Sequence, residues 1–237
     1  MDLGIAGKVA LVTAASKGLG RGAALALARE GCGVTICARG SEALDATVGE
    51  LGPDALGVPA DVTDPAAPRR LVEAAVERFG RLDIVVANAG GPPRARALEV
   101  DDAALLEAVN ANALTSIRLV REALPHMRRN GWGRVVLLTS SAVKQPIPDL
   151  AYSNVARAGL WGWAKTAAQD LMDEGITVNL VCPGLHATDR VRELGRDARL
   201  GDPEDFGRVV AFLCSTSANF VSGTALQVDG AGTLGLL

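Results

Sequence analysis

The run Thr13-Ala14-Ala15-Ser16-Lys17-Gly18-Leu19-Gly20 is the first stretch of the chain whose residue types could do chemistry. Its glycines permit a tight turn just ahead of a helical pattern. A turn placed there aims backbone N–H groups and the positive end of a helix dipole at a phosphate or pyrophosphate. Groups able to move a proton near neutral pH are scarce: Tyr152 is the one phenol, and His126 and His186 are the only imidazoles. The four cysteines, Cys32, Cys37, Cys182 and Cys214, lie in apolar runs without C-x-x-C spacing. Buried free thiols are therefore expected, and no metal site.

The elements that must position the turn are readable from periodicity. Short runs rich in Val, Ile and Leu at 9–13, 34–37, 56–59, 82–87, 134–139, 177–182 and 225–228 alternate with helical stretches at 19–30, 41–51, 66–79, 101–129, 150–173 and 203–215. The apolar runs are continuous rather than alternating in polarity, as in strands covered on both faces. The pattern predicts an α/β fold: one doubly wound, Rossmann-like parallel sheet of seven strands, helices on both faces, and a single domain over 1–237. With 24 Lys+Arg against 27 Asp+Glu the net charge is −3, which gives no basic surface for a nucleic-acid partner. No stretch reaches the roughly 18 apolar residues of a membrane span, and residues 1–8 lack the profile of a signal peptide. A cytoplasmic protein with no membrane partner is expected.

Other pieces follow the glycine turn in order: Asp61-Val62 after the third strand, Asn88-Ala89-Gly90 after the fourth, Asn112 in the next helical stretch, and Pro183-Gly184 after the sixth strand. Together they resemble the short-chain dehydrogenase/reductase family over essentially the whole chain. Residues 8–20, 79–90, 133–140 and 175–184 are similar to its bacterial 3-oxoacyl-carrier-protein reductase branch. The resemblance implies that Thr13, Ala15, Ser16, Lys17, Gly18, Leu19 and Gly20 cradle a dinucleotide and that Asp61 and Val62 flank its adenine. It also implies that Asn88, Ala89 and Gly90 wall the ribose and nicotinamide, with Pro183, Gly184 and Thr188 near the carboxamide. The family's first turn glycine is Ala14 here, and a methyl there leads us to expect a negative φ and a slightly reshaped cradle. An NAD enzyme usually places an acid at the end of the second strand, whereas this chain reads Cys37-Ala38-Arg39-Gly40. Arg39 and Lys17 could converge on a 2′-phosphate, which favours NADP(H) over NAD(H).

Family members place a Ser after the fifth strand, a Tyr thirteen residues on and a Lys four beyond that. Ser140 fits the first position. The other two fall on Ser153 and Arg157, giving Ser-Asn-x-x-Arg for Tyr-x-x-x-Lys. Tyr152 sits one residue early, about 100° round the helix, and shares a face with Ala156. Ser140, Ser153, Arg157 and Asn112 are thus the catalytic candidates. They could polarise a carbonyl, but Arg stays protonated and serine is a weaker acid than a phenol of pKa about 10. Water, His186 or a re-aimed Tyr152 would have to supply the proton. Lys144 either reaches the same cleft or is a solvated loop lysine. Only ten residues, 189–198, separate Thr188 from Arg199, so a short lid and an open cleft are expected.

Three functions fit these residues. The leading one is an NADP(H)-dependent reductase of a small-molecule carbonyl, or the reverse alcohol dehydrogenase, with a modified site. The others are a nucleotide-binding protein that has lost its chemistry and a lyase resembling halohydrin dehalogenases, which keep a Ser/Tyr/Arg site. By resemblance a homodimer or homotetramer forms through the helices at 101–129 and 150–173. There Ala158, Gly159, Gly162, Ala164, Ala167 and Ala168 allow close approach, to a partner helix or to their own sheet.

Overall fold

A computed structural model describes residues 2–189, 191 and 199–235. The strands are β1 (Val9–Val12), β2 (Gly33–Ala38), β3 (Ala55–Pro59), β4 (Ile84–Ala87), β5 (Gly133–Leu138), β6 (Ile176–Pro183) and β7 (Ala225–Val228). They form one sheet in the order β3-β2-β1-β4-β5-β6-β7, with every neighbouring pair parallel. The helices are α1 (Gly18–Arg29), α2 (Ser41–Leu51), α3 (Ala67–Phe79), α4 (Asp102–Val109), α5 (Thr115–Asn130), α6 (Ala151–Leu171) and α7 (Pro203–Leu213).

Side chains alternate across the sheet into two cores. Leu11, Val135 and Leu137 join Leu71 of α3, Val120 of α5 and Leu160 of α6 on one face. Val12, Val136 and Leu138 join Leu27 of α1, Leu44 of α2 and Phe206 of α7 on the other. With both faces covered, a strand gains by being apolar at every position, which is why the runs read as continuous. α1 is set deeply because it meets α7 at Gly22 and Gly207, where an added Cβ would lie 2.1 Å from the facing backbone oxygen. Two buried charges tie down the other end of the sheet. Asp83 accepts from the N–H of Val9 at 3.0 Å and from both ends of the Arg81 fork at 2.7 Å. Burial pulls Arg134 down to about 10, and it donates to the carbonyls of Gly175 and Ser215.

The chain order reverses between β1 and β4, so the loops leaving those strands diverge and open a crevice at their carboxyl ends. One expected element is corrected: the stretch 101–129 is not continuous. A π-helical turn, Asn110–Leu114, separates α4 from α5. Among the described residues no helix is long and apolar enough to cross a membrane. The stretch taken as a lid, 189–198, falls outside the described residues except for 189 and 191.

Candidate active site

The crevice holds two clefts. The first, about 460 Å³, is lined by Ala14, Ser16, Lys17, Arg39, Asp61, Val62, Asn88, Ala89 and Gly90. Its rim is fixed by a clasp between the ends of β1 and β4. The Thr13 hydroxyl donates to the Asn88 carbonyl at 2.7 Å and accepts from the Asn88 N–H at 2.8 Å. The Asn88 amide then donates to the Ala14 carbonyl at 3.1 Å. Thr13 and Ala15 are themselves buried; they shape the turn rather than line the cleft, and the Ala15 N–H is spent on Cys37 at 3.0 Å.

α1 starts at this rim with Lys17 extended and no side-chain cap, which leaves first-turn N–H groups for a ligand. A Cβ on Gly20 would lie 2.6 Å from the Ala14 carbonyl and 2.8 Å from the Asn88 amide, so only glycine lets the loop close. These features fit a dinucleotide pyrophosphate. Thr188 lies over the turn, its Cγ2 3.3 Å from where a Cβ on Gly18 would be. Leu19 instead packs into the α1–α7 core. Lys17 and Arg39 line one cleft, as a site for a 2′-phosphate requires. Asp61 shares it, but its carboxylate accepts from the N–H and hydroxyl of Thr63 at 2.9 and 2.8 Å. Those bonds and the nearby Arg39 charge hold it below the usual carboxylate range.

Ala14 overturns the expected negative φ: it lies at φ +48. The hydrogen bonds of Thr13, Asn88 and Ala15 fix the backbone on both sides of it, and the turn needs a left-handed residue there. The cradle is therefore retained rather than reshaped, with a left-handed alanine costing about 1 kcal/mol.

The second cleft, about 450 Å³, is lined by Ser140, Ser141, Pro183, Gly184 and Leu185, with Ile147, Leu150, Asp229 and two arginines, Arg94 and Arg199. Ser140 is extended after β5, and its Oγ accepts from the Ala142 N–H at 3.1 Å. Its own proton remains for another acceptor. Close by, Arg157 of α6 donates through Nε to Ser153 Oγ at 3.1 Å and through Nη1 to the Leu138 carbonyl, the last of β5, at 3.3 Å. Ser153 and Arg157 are 5% and 8% exposed and lie outside the walls of this cleft. A guanidinium only donates, so the Ser153 hydroxyl proton faces away from Arg157 and meets no acceptor among the described residues. The same region holds the Cys182 thiol, pushed up by burial while its contact with Thr139 and the Lys144 and Arg157 charges oppose that rise.

Two candidate proton donors, Tyr152 and His186, line neither cleft. The Tyr152 hydroxyl accepts from the Asp101 N–H at 3.0 Å, at the start of α4. The residue is buried there. His186 is buried against Phe206, ring centroids 5.1 Å apart, with Nδ1 3.2 Å from the Gly184 carbonyl. Lys144 is half-buried, its ammonium 4.4 Å over the Trp161 ring, and it does not line the second cleft. Asn112 sits in the π-helical turn, where its amide donates to the Ala108 carbonyl at 3.2 Å. Its Oδ1 is buried without a partner among the described residues.

Sequence reasoning missed Arg94, Arg199 and the apolar wall of Ile147, Leu150 and Leu185. These are loop residues without periodicity; the signal available was the position of Arg94, four residues beyond the Asn88-Ala89-Gly90 turn.

The profile of the enoyl-(acyl carrier protein) reductase family matches residues 13–233. The 3-oxoacyl-[acyl-carrier-protein] reductase FabG of Escherichia coli is 33% identical over 235 residues, covering 94% of this chain and 96% of that protein. Human dehydrogenase/reductase SDR family member 4 is 33% identical, covering 95% and 87%. L-sorbose reductase from Gluconobacter frateurii, solved with NADPH and L-sorbose, superposes with a TM-score of 0.93 at 31% identity over the whole of both chains. An actinorhodin polyketide ketoreductase variant solved with NADPH gives 0.88 at 33% identity, covering 94% and 96%.

Two substitutions test this geometry. Ala14→Gly removes the left-handed strain, and calorimetry should record a melting temperature about 2 °C higher. Tyr152→Phe strips the acceptor from the Asp101 N–H and should cost about 1 kcal/mol in urea unfolding while leaving kcat unchanged. A hundredfold fall in kcat would return the phenol to the site.

Proposed function

The chain belongs to the short-chain dehydrogenase/reductase family, and from that premise we propose that it reduces a small-molecule carbonyl with NADPH, or oxidises the alcohol, without a tyrosine acid. Lys17 and Arg39 in the first cleft support NADP(H) over NAD(H): two cations line the adenine side, and the end of β2 offers no acid to the ribose hydroxyls. When bound, the cofactor supplies or receives the hydride at the carbonyl carbon.

The observation that carries the reading is the hydrogen bond from Arg157 to Ser153. It polarises the hydroxyl and leaves its proton for an incoming oxygen. Ser140 and Ser153 then donate to the substrate oxygen as negative charge grows on it, and the fixed charge of Arg157 stabilises that charge in a buried, low-dielectric setting. As the alkoxide takes the proton of Ser153, a water returns one to the serine oxygen and is itself reprotonated from bulk solvent, which supplies the one proton the reduction consumes. The unpartnered Oδ1 of Asn112 is an acceptor suited to holding such a water. Without a phenol a general-acid contribution of about 10²–10⁴ is reduced, so turnover is expected to be slow.

The burial of Ser153 and Arg157 behind the cleft wall favours one further reading, a nucleotide-binding protein without turnover. Tight NADPH binding with no activity on any ketone would identify it. On either reading the chain acts as one domain in the cytoplasm and assembles as a homodimer or homotetramer. Val155, Ala158, Gly159 and Gly162 support the assembly as an exposed small-residue stripe on α6, whereas Ala164, Ala167 and Ala168 pack into their own core.

Because Arg157 keeps its charge and Ser153 does not titrate, kcat should stay level from about pH 6 to pH 10, where a tyrosine acid would give a basic limb. Ser153→Ala should lower kcat about 10²-fold with the NADPH-induced rise in melting temperature intact. An unchanged kcat in that variant would remove Ser153 from the reaction.

A further inference from the structure

Resting on the carbonyl-reductase reading, the second cleft holds two cations that the chemistry at Ser140 does not use. Arg94 and Arg199 line the same 450 Å³ space as Ser140, on two different loops. Each loop is stapled by a short parallel bridge. Next to Arg94, the Ala95 N–H donates to the Asp149 carbonyl and the Ala151 N–H to the Ala95 carbonyl, both at 3.1 Å. Two residues after Arg199, the Gly201 N–H donates to the Leu185 carbonyl and its own carbonyl accepts from Ala187, both at 2.9 Å. The two guanidinium groups therefore stand on anchored backbone, bridged to the segments that supply the apolar wall at Leu150 and Leu185.

Neither cation is consumed by the fold. Arg199 has no ion-pair or hydrogen-bond partner among the described residues. Arg94 has one, an Nη1 contact to Asp149 at 3.2 Å with both side chains more than 40% exposed. A pair so exposed is weak, and another anion can displace or share it. The acid inside the cleft, Asp229, is occupied elsewhere: it accepts from the Thr233 N–H and hydroxyl at 2.9 and 2.6 Å and from the Ala231 N–H at 3.1 Å. What remains for a ligand is a carbonyl-binding serine, an apolar wall and two guanidinium groups whose donors the fold leaves largely unused.

We propose that the substrate is an oxo-carboxylic acid, its carbonyl at Ser140 and its carboxylate held between Arg94 and Arg199. A guanidinium meets a carboxylate with two parallel N–H donors, so the pair would fix the direction of the molecule as well as attract it. Neutral ketones of the same shape would enter the cleft but lack the orienting contact.

The test uses the full chain with NADPH and three acids, acetoacetate, levulinate and 5-oxohexanoate, each against its methyl ester. At least one acid is expected to exceed its ester about tenfold in kcat/KM. Arg199→Gln and Arg94→Gln should each lower that acid's kcat/KM about tenfold, through KM, because a charge-assisted bond is lost. The ester's kcat/KM and the KM for NADPH should stay within about twofold. Esters turned over as well as acids would overturn the proposal, as would equal losses for both. A rise confined to the KM of NADPH would assign the arginines to the cofactor and overturn it too. If no ketone of either kind is reduced, the carbonyl-reductase reading fails by itself, and calorimetric titration of the acids into the NADP complex decides the proposal. Binding that Arg199→Gln abolishes supports it, and no binding of any acid refutes it.

Discussion

The reciprocal hydrogen bond between Thr13 and Asn88 holds together the two strand ends that frame the first cleft. β1 and β4 are neighbours in the sheet but lead to helices on opposite sides, so their loops would splay apart unless something closes the gap. One hydroxyl closes it by donating to and accepting from the same residue. The amide of Asn88 extends the clasp to the Ala14 carbonyl, and that bond, with Ala15 to Cys37, dictates the left-handed backbone at Ala14. A local steric preference of about 1 kcal/mol is overruled because several hydrogen bonds in a partly buried site are worth more than one methyl clash. The uncapped start of α1 and the close approach of Gly20 follow from the same geometry.

How much of this was legible in the sequence depends on whether a feature repeats. The seven strands and their order of appearance follow from apolar runs, and most boundaries fall within one or two residues of the expected ones. The break at Asn110–Leu114 was invisible: a single π turn adds one residue to a helix and barely disturbs a 3.6-residue pattern. Rotation about a helix served well at Tyr152, where one residue of offset turns the phenol to Asp101 while Arg157 meets Ser153. His186 had no such guide. A loop residue's direction is settled by what packs on it, here Phe206, and no local pattern records that. Arg94 and Arg199 escaped notice for the same reason, being far apart in sequence and joined in one cleft only by the bridges at Ala95 and Gly201.

On the proposed reading, a residue that could titrate is replaced at Arg157 by one that cannot. A lysine can lower the pKa of a neighbouring phenol and take part in proton traffic, whereas an arginine contributes a permanent charge and donor hydrogens in a fixed fork. Arg157 spends two of those hydrogens within the protein, on Ser153 and on the last carbonyl of β5. It thereby ties α6 to the strand that carries Ser140. The price of burying a guanidinium is thus partly offset by bonds that also set the orientation of a hydroxyl.

On the proposed reading, this exchange shifts the balance of the reaction. A hydroxyl is a reluctant acid, so the transition state must rely on charge already in place more than on proton transfer, and the alkoxide has to persist longer before it is quenched. Fixed positive charge close by lowers the energy of that alkoxide whatever the pH. The same charge attracts anions, and the carboxylate of Asp229 in that cleft has its oxygens taken up by Thr233 and Ala231, so it does not bond to the arginines. A site built this way should prefer substrates that bring negative charge of their own at a distance from the reacting carbon, where it meets Arg94 and Arg199 without competing with the developing oxyanion for Ser140 and Ser153.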